Sequence, residues 1–268
     1  MKIMLNEKSH FVSSGTTAFQ LRDEVKPDAD IVVFNGFIVK EDYPLKDGDK
    51  ITLIKRGEIP SQEEMESLLV ARHTPGVHES VKKAFVGIAG LGGLGSNVAV
   101  SLARLGIGRL LLIDFDIVEP SNLNRQQYFI NHIGMPKTEA LKELIAQINP
   151  FVEVETKDAY LDSTNIKEVF SDVDIIVEAF DNPQSKAELV NIVLQSLPNK
   201  PIVAASGMAG YFSNNLITTK KIRENFYLVG DDTSEAKPGS GLMAPRVGIA
   251  ANHQANMVLR LILGEKDI

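Results

Sequence analysis

The stretch Gly90-Leu91-Gly92-Gly93-Leu94-Gly95 constrains this chain more than any other. It has G-x-G-x-x-G spacing, follows the apolar run AFVGIAG and precedes SNVAVSLARLG, whose apolar residues recur at helical spacing. In that setting the first glycine allows a tight turn, the second lets the backbone approach a phosphate, and the third lets helix and strand pack closely. A helix from Ser96 onward would turn its N-terminal amides toward an anion. Asp114 follows about 20 residues later, at the end of RLLLIDF, where an acidic side chain accepts a ribose hydroxyl. The pattern points to a bound nucleotide and does not separate NAD from ATP, since both present a ribose and a phosphate.

From residue 84 onward, β-branched strand signals alternate with helical ones: RLLLIDF, KTEALKELIAQIN, FVEVETK, VDIIVEA, SKAELVNIVLQSL and PIVAAS. This order predicts an α/β fold, a Rossmann-like and mostly parallel sheet with helices on both faces. Residues 1–57 read differently, as strand, strand, helix, strand, strand, with a Thr cap before AFQLRDEVK and turn signals at Asn35-Gly36 and Asp47-Gly48-Asp49. Residues 58–83 form a helical linker in which Ser61 and Glu64 have capping-box spacing. The expected division is therefore 1–57, 58–83 and 84–268.

Composition narrows the function. The formal net charge of -7 weighs against nucleic acid and anionic membranes, which reward a basic surface. The apolar runs are of strand or short-helix length and the N-terminus lacks a signal-peptide core, so a cytoplasmic location without membrane association is expected. Cysteine is absent, which removes disulfides, thiolate zinc sites and any thiol or persulfide step on this chain. The histidines at 10, 73, 78, 132 and 253 show no ligand-like spacing beyond His73 and His78, and no zinc is expected.

The residues after the glycine loop favour ATP. Asn122, Arg125 and Lys137 place polar and cationic groups downstream of Asp114. Hydride transfer has no particular need of them, whereas attack at an α-phosphorus does. The strand DVDIIVEAFDN is read as ending at Asp181, on the carboxyl edge where open α/β sheets bind ligands. A single carboxylate there suits Mg²⁺, which fills its shell with phosphate oxygens and water.

Taken together, Gly90, Gly92, Gly93 and Gly95, Asp114-Phe115-Asp116, Ser121-Asn122-Leu123-Asn124-Arg125-Gln126, Lys137 and Asp181-Asn182 resemble the ThiF/MoeB family, relatives of the ubiquitin-activating enzymes. The resemblance covers residues 70–264. It implies ATP-dependent adenylation of the C-terminal glycine carboxylate of a ubiquitin-like sulfur carrier, with release of pyrophosphate, of the ThiF kind in thiazole formation for thiamine. It also implies that Asp114 holds the ribose, Arg125 and Lys137 the phosphates, with Asn122 beside them, and Asp181 the magnesium ion. A homodimer follows from the same resemblance, with Arg72 as the arginine inserted into the partner's ATP site.

Residues 1–57 resemble the ubiquitin-like sulfur carriers of the ThiS and MoaD type, which implies a β-grasp fold. A carrier acts through a free Gly-Gly carboxylate. Here Arg56-Gly57 runs on into Glu58, so this domain is not itself adenylated; it reads as a regulatory or dimer-forming module. Many relatives carry two Cys-x-x-Cys pairs for zinc, and this chain has none. Ser206-Gly207-Met208-Ala209-Gly210-Tyr211 reads either as the entry for the carrier's tail or as a tight connection. Three other functions stay open at this level: activation of another carboxylate such as that of a modified tRNA nucleoside, an NAD-dependent oxidoreductase, and a binding protein without activity. No acid and base pair suited to hydride transfer stands out.

Overall fold

A computed structural model describes residues 1–74 and 76–268. It separates into two compact units, Met1–His78 and Glu79–Ile268.

In the first unit, β1 (Lys2–Leu5), β2 (Lys8–Phe11), α1 (Ala18–Val25), β3 (Ile31–Phe34), β4 (Phe37–Val39) and β5 (Lys50–Ile54) build a five-stranded sheet in the order β2-β1-β5-β3-β4. Its central pair, β1 and β5, is parallel, and the other pairs are antiparallel. Alternation along β1 and β5 turns Ile3, Leu5, Ile51 and Leu53 onto Ala18 and Leu21 of α1, forming one core with Val32 and Leu45. Thr17 and Gln20 close a reciprocal capping box at the start of α1. This is the expected β-grasp unit with one strand more than the sequence reading contained. Asn35 (φ 48°) and Gly36 (φ 90°) form a left-handed hairpin turn that folds Phe37–Val39 back on β3. That strand was missed because it is a three-residue edge whose Phe37 and Ile38 are both exposed, so it shows no alternation.

The segment after β5 holds α2 (Gln62–Val70) and α3 (Val77–Lys83). Ser61 Oγ accepts from Glu64 N, as its spacing predicts. The reciprocal half of that box is absent, because the Glu64 carboxylate accepts from Asn6 Nδ2 instead (2.8 Å).

The second unit contains β6 (Phe85–Ala89), α4 (Gly93–Arg104), β7 (Arg109–Asp114), α5 (Lys137–Ile148), β8 (Glu153–Asp158), α6 (Ile166–Val169), β9 (Ile175–Glu178), α7 (Pro183–Ser196), β10 (Ile202–Ala205), β11 (Thr218–Arg223), β12 (Phe226–Gly230) and α8 (Ala244–Ile262). Its seven strands run β11-β12-β10-β9-β6-β7-β8, all parallel except the β11–β12 edge pair. Phe85 and Ala89 face Ile166, Phe170 and Leu189 on the α6 and α7 side, while α4 packs with α5 and α8. The chain leaves β6 toward β7 and β8, then returns to pair β9 on the other side of β6. This reversal opens a crevice at the carboxyl ends of β6 and β9, where such sheets bind ligands. Among the described residues, no helix is long and apolar enough to cross a membrane.

Two boundaries differ from the sequence reading. The helix after the glycine loop begins at Gly93, three residues before Ser96, because Ser96 N already donates to Gly92 O (3.1 Å) in helical register. Strand β9 ends at Glu178, so Asp181 stands in the connection to α7 and not on the strand.

Candidate nucleotide site

The glycines of the loop divide by what surrounds them. Gly90 has φ 88°, and a Cβ there would lie 2.9 Å from Ala179 O. At Gly95 a Cβ would overlap the carbonyl of Gly90, so this glycine is what lets α4 sit on the end of β6. Gly93 is tight against Val247, at 3.0 Å. Gly92 is different: its φ is −73°, and a Cβ would meet only Gln126 Nε2 at 3.9 Å. No neighbouring atom crowds a side chain there. Gly92 is also the N-cap of α4 and supplies no side-chain cap, so the first amides of the helix remain available to an anion.

Asp114, at the end of β7, is buried and braces this loop. Its Oδ2 accepts from Leu91 N (2.6 Å) and its Oδ1 from Asp116 N (2.9 Å). Burial pushes its carboxyl above the ordinary value of 3.8, opposed by the nearby Lys137 ammonium and by these two amides. Tyr128 adds a second brace by donating its hydroxyl to Leu91 O (2.8 Å).

Lys137 opens α5, and its ammonium, almost fully buried, pairs with Asp116 Oδ2 at 2.7 Å. Residues 120–124 form a 3₁₀ turn started by Pro120, which buries Asn122. Asn122 Oδ1 accepts from Glu119 N (3.0 Å) and fixes the turn. Arg125 follows, its Nη1 donating to Asn124 Oδ1 (2.8 Å) and Ser121 O (3.3 Å), while its buried Nε has no partner among the described residues. An added Cβ on Gly93 would lie 3.5 Å from Arg125 Cγ, so the arginine stem packs on the loop. Asn97 Nδ2 joins the two segments, donating to Gly93 O (2.6 Å) and Arg125 O (3.2 Å).

The structure thus brings together Gly90, Gly92, Gly93, Gly95, Asp114, Asn122, Arg125 and Lys137. Asp181 lies past the carboxyl end of β9, the strand beside β6, exposed and without a protein partner among the described residues. Arg72 belongs to the other unit, where its exposed guanidinium pairs with Glu7 at 3.4 Å. Among the described residues no group of three or more His, Cys, Asp or Glu side chains is placed to hold a metal ion.

Residues 66–268 match the ThiF family and residues 1–57 match ThiS-like ubiquitin. The chain belongs to the ThiF family. This ThiF-family chain is 32% identical over 191 residues to the molybdopterin-synthase adenylyltransferase of Haemophilus influenzae, covering 69% of this chain and 77% of that one. It is 30% identical over 182 residues to the sulfur carrier protein ThiS adenylyltransferase of Escherichia coli, covering 66% and 71%. Against the adenylyltransferase and sulfurtransferase UBA4 of Candida glabrata it is 31% identical over 191 residues, 69% of this chain but 43% of that longer one. The crystal structure of E. coli tRNA N6-threonylcarbamoyladenosine dehydratase, TcdA, with AMP has the same fold, with a TM-score of 0.69, 22% identity, and coverage of 78% of this chain and 99% of that one.

Some residues that shape the site of this ThiF-family chain escaped the sequence reading. Gln126 is buried beside the open side of Gly92, and its Oε1 has no partner among the described residues; its place in the quoted motif was the available signal. Asp116, partner to Lys137, sat in the Asp-Phe-Asp motif without a role. Asp231 and Arg246 form a buried pair at 2.5 Å, with Arg246 Nη1 donating to the carbonyls of Phe212 and Ser213, both at 2.8 Å. Asp231 Oδ1 would also crowd a Cβ on Gly207, so this pair anchors the segment after β10. That segment is no tight connection, since residues 206–217 include a further 3₁₀ turn before β11 begins.

Proposed function

We propose that this chain is an adenylyltransferase that transfers AMP from ATP to the C-terminal glycine carboxylate of a ubiquitin-like sulfur carrier. The observation that carries the reading is the open face of Gly92 among otherwise crowded glycines, next to the free amides of α4 and the unpartnered Nε of Arg125. The phosphates lie over the start of α4, where backbone N–H groups and the helix dipole meet their charge. Asp114 accepts a ribose hydroxyl with the lone pairs its two amide donors leave free, so one residue holds both the loop and the sugar. Arg125 and Lys137 oppose the phosphate charge, and Lys137 exchanges Asp116 for a phosphate oxygen as ATP enters. Asn122 lies beside the phosphates.

A carboxylate oxygen of the carrier attacks the α-phosphorus in line, the bond to the β-phosphate oxygen breaks, and pyrophosphate leaves with its electron pair. No protein nucleophile takes part. Position and positive charge are what the chain supplies. Asp181 fits magnesium, being an exposed carboxylate with no competing protein cation among the described residues; the metal supplies further charge at the phosphates.

The ThiS-like match over residues 1–57 and the ThiS adenylyltransferase relative support a ThiS-type carrier, and we assign the chain to thiazole formation on that reading. We assign Arg72 to the ATP site of a second copy in a homodimer. In the test, ATP–pyrophosphate exchange is measured with Mg²⁺ and separate ThiS-type and MoaD-type carriers bearing free Gly-Gly ends. Exchange with the ThiS-type carrier is expected, and Asp181→Ala should abolish it while leaving thermal stability unchanged, because the side chain is exposed. Near-normal exchange in that variant overturns the site. A thermal shift with NAD and none with ATP overturns the nucleotide assignment.

A further inference from the structure

Glu178 is fully buried at the carboxyl end of β9, and the reaction above leaves its carboxylate unused. Its Oε1 accepts from Phe180 N (2.7 Å) and from Lys186 Nζ (2.9 Å). Its Oε2 accepts from the same Nζ (3.0 Å) and from Ala205 N (3.4 Å), at the end of β10. A buried ion pair of this kind adds little stability over apolar residues of equal volume, so its worth lies in what it fixes.

What it fixes is the turn that bears Asp181. Ala179 N donates to Ala89 O (2.8 Å), which holds the turn to the end of β6. Phe180 N is held by Glu178. On the far side, Asn182 Oδ1 accepts from Gln184 N (2.9 Å) and Ser185 N (3.0 Å) and starts α7. Lys186 stands in the opening turns of that helix and is drawn onto Glu178, so strand end and helix start are tied together across the turn. Asp181 falls between fixed points, its carboxylate left to a ligand.

We propose that Glu178 and Lys186 are positioning residues, a buried pair that holds residues 179–182 so that the Asp181 carboxylate meets the metal-bound phosphates. The proposal rests on the adenylation reading. It also predicts that Lys186, unlike Lys137, keeps its carboxylate partner when ATP binds, because both oxygens of the fully buried Glu178 hold its ammonium.

The test uses the full chain with Glu178→Gln, Lys186→Met and the double variant, and Mn²⁺ as a spectroscopic probe of metal binding in the presence of ATP. Loss of groups that orient a ligating carboxylate commonly weakens metal affinity by about 10–100-fold. Each single variant is expected to weaken Mn²⁺ by about 10-fold or more, to leave metal-free ATP affinity within about twofold, and to raise the Mg²⁺ needed for pyrophosphate exchange. The double variant should be no worse than Lys186→Met, because both changes break one linkage.

Unchanged Mn²⁺ affinity in folded single variants overturns the proposal, whatever happens to melting temperature. Weakened metal-free ATP binding in Lys186→Met alone overturns it in favour of a phosphate contact. If the single variants do not fold, the neutral pair of the double variant decides by the same Mn²⁺ measurement. Wild-type chain without exchange on any carrier would defeat the adenylation reading, while Mn²⁺ binding would still report on Glu178.

Discussion

Replacing Gly92 by alanine should separate nucleotide binding from folding. The φ of −73° is open to any L-residue but the ψ of −147° lies outside the usual α and β regions, and the added methyl would meet only Gln126 Nε2 at 3.9 Å. The fold should therefore lose about 1–3 kcal/mol to backbone strain, a cost that falls on the ligand-free and ligand-bound protein alike. The methyl instead occupies the space through which a phosphate reaches the amides of α4. Losing one or two hydrogen bonds to a charged group is worth about 3 kcal/mol, roughly 100-fold in affinity. At ATP about 100 times the wild-type dissociation constant, ligand stabilises the wild type by about 2.7 kcal/mol and the variant by about 0.4 kcal/mol. For a unit of this size these figures correspond to shifts of about 5–11 °C and about 1–2 °C. Thermal denaturation with and without ATP and Mg²⁺ reads both numbers. A Gly92→Ala variant with the full wild-type shift would refute the argument, because the open face would then have no ligand to serve. Gly95→Ala is the counterpart: its methyl would overlap the Gly90 carbonyl, and a loss of more than about 3 kcal/mol in the apo protein is expected.

The other predictions concern Arg72 and two aspartates. Arg72→Ala should change stability by less than about 1 kcal/mol, since its pair with Glu7 is exposed. Mixed with Asp181→Ala it should restore about a quarter of wild-type exchange, the fraction of intact sites in randomly assorted dimers; no restoration counts against the trans assignment. At Asp231, burial pushes the carboxyl up, but bonds from the Ser234 hydroxyl, the Ser234 and Thr233 amides and Arg246 hold it well below 3.8. Its stabilisation is therefore present above pH 3.8 and lost as pH falls below it, so Asp231→Asn should be less stable at pH 7 and show a flatter acid limb in melting temperature. Parallel pH curves would contradict this. Asp114 has the opposite sign: its carboxyl is raised above 3.8, so its ionised form lowers stability at neutral pH, and Asp114→Asn should remove a gain that the wild type shows as pH falls toward 3.8.

Much of this molecule was legible in its sequence wherever the information is local. The glycine loop, the capped α1 and the alternation of apolar strands with helices each depend on neighbours within a few residues, so spacing and residue type sufficed. The elements that escaped lack that signal. Strand β4 is short and exposed, α6 is four residues long, and β11 reads as the polar run TTKKIR although it closes the sheet against β12. In the candidate site, the sequence offers residues from Gly90 through Asp181 in order, but not the partners they meet in the fold.

Those partners come from distant parts of the chain or from charges that a sequence presents as solvated. Asp116 takes up Lys137, Glu178 draws Lys186 onto a strand end, and Arg246 crosses to Asp231 and two loop carbonyls. Nothing in residue order requires these pairings. They arise because the parallel sheet collects its carboxyl ends along one edge and buries Lys137, Glu178, Asp231 and Arg246, and in that low-dielectric setting each buried ionised group must find a counterpart. Sequence alone determined the chemistry available to this protein, through φ demands, periodicity and the identity of its charges. Tertiary structure decided which charged groups pair with each other and which, as at Arg125 Nε and Asp181, have no partner among the described residues, because that division depends on burial, and burial exists only once the sheet is assembled.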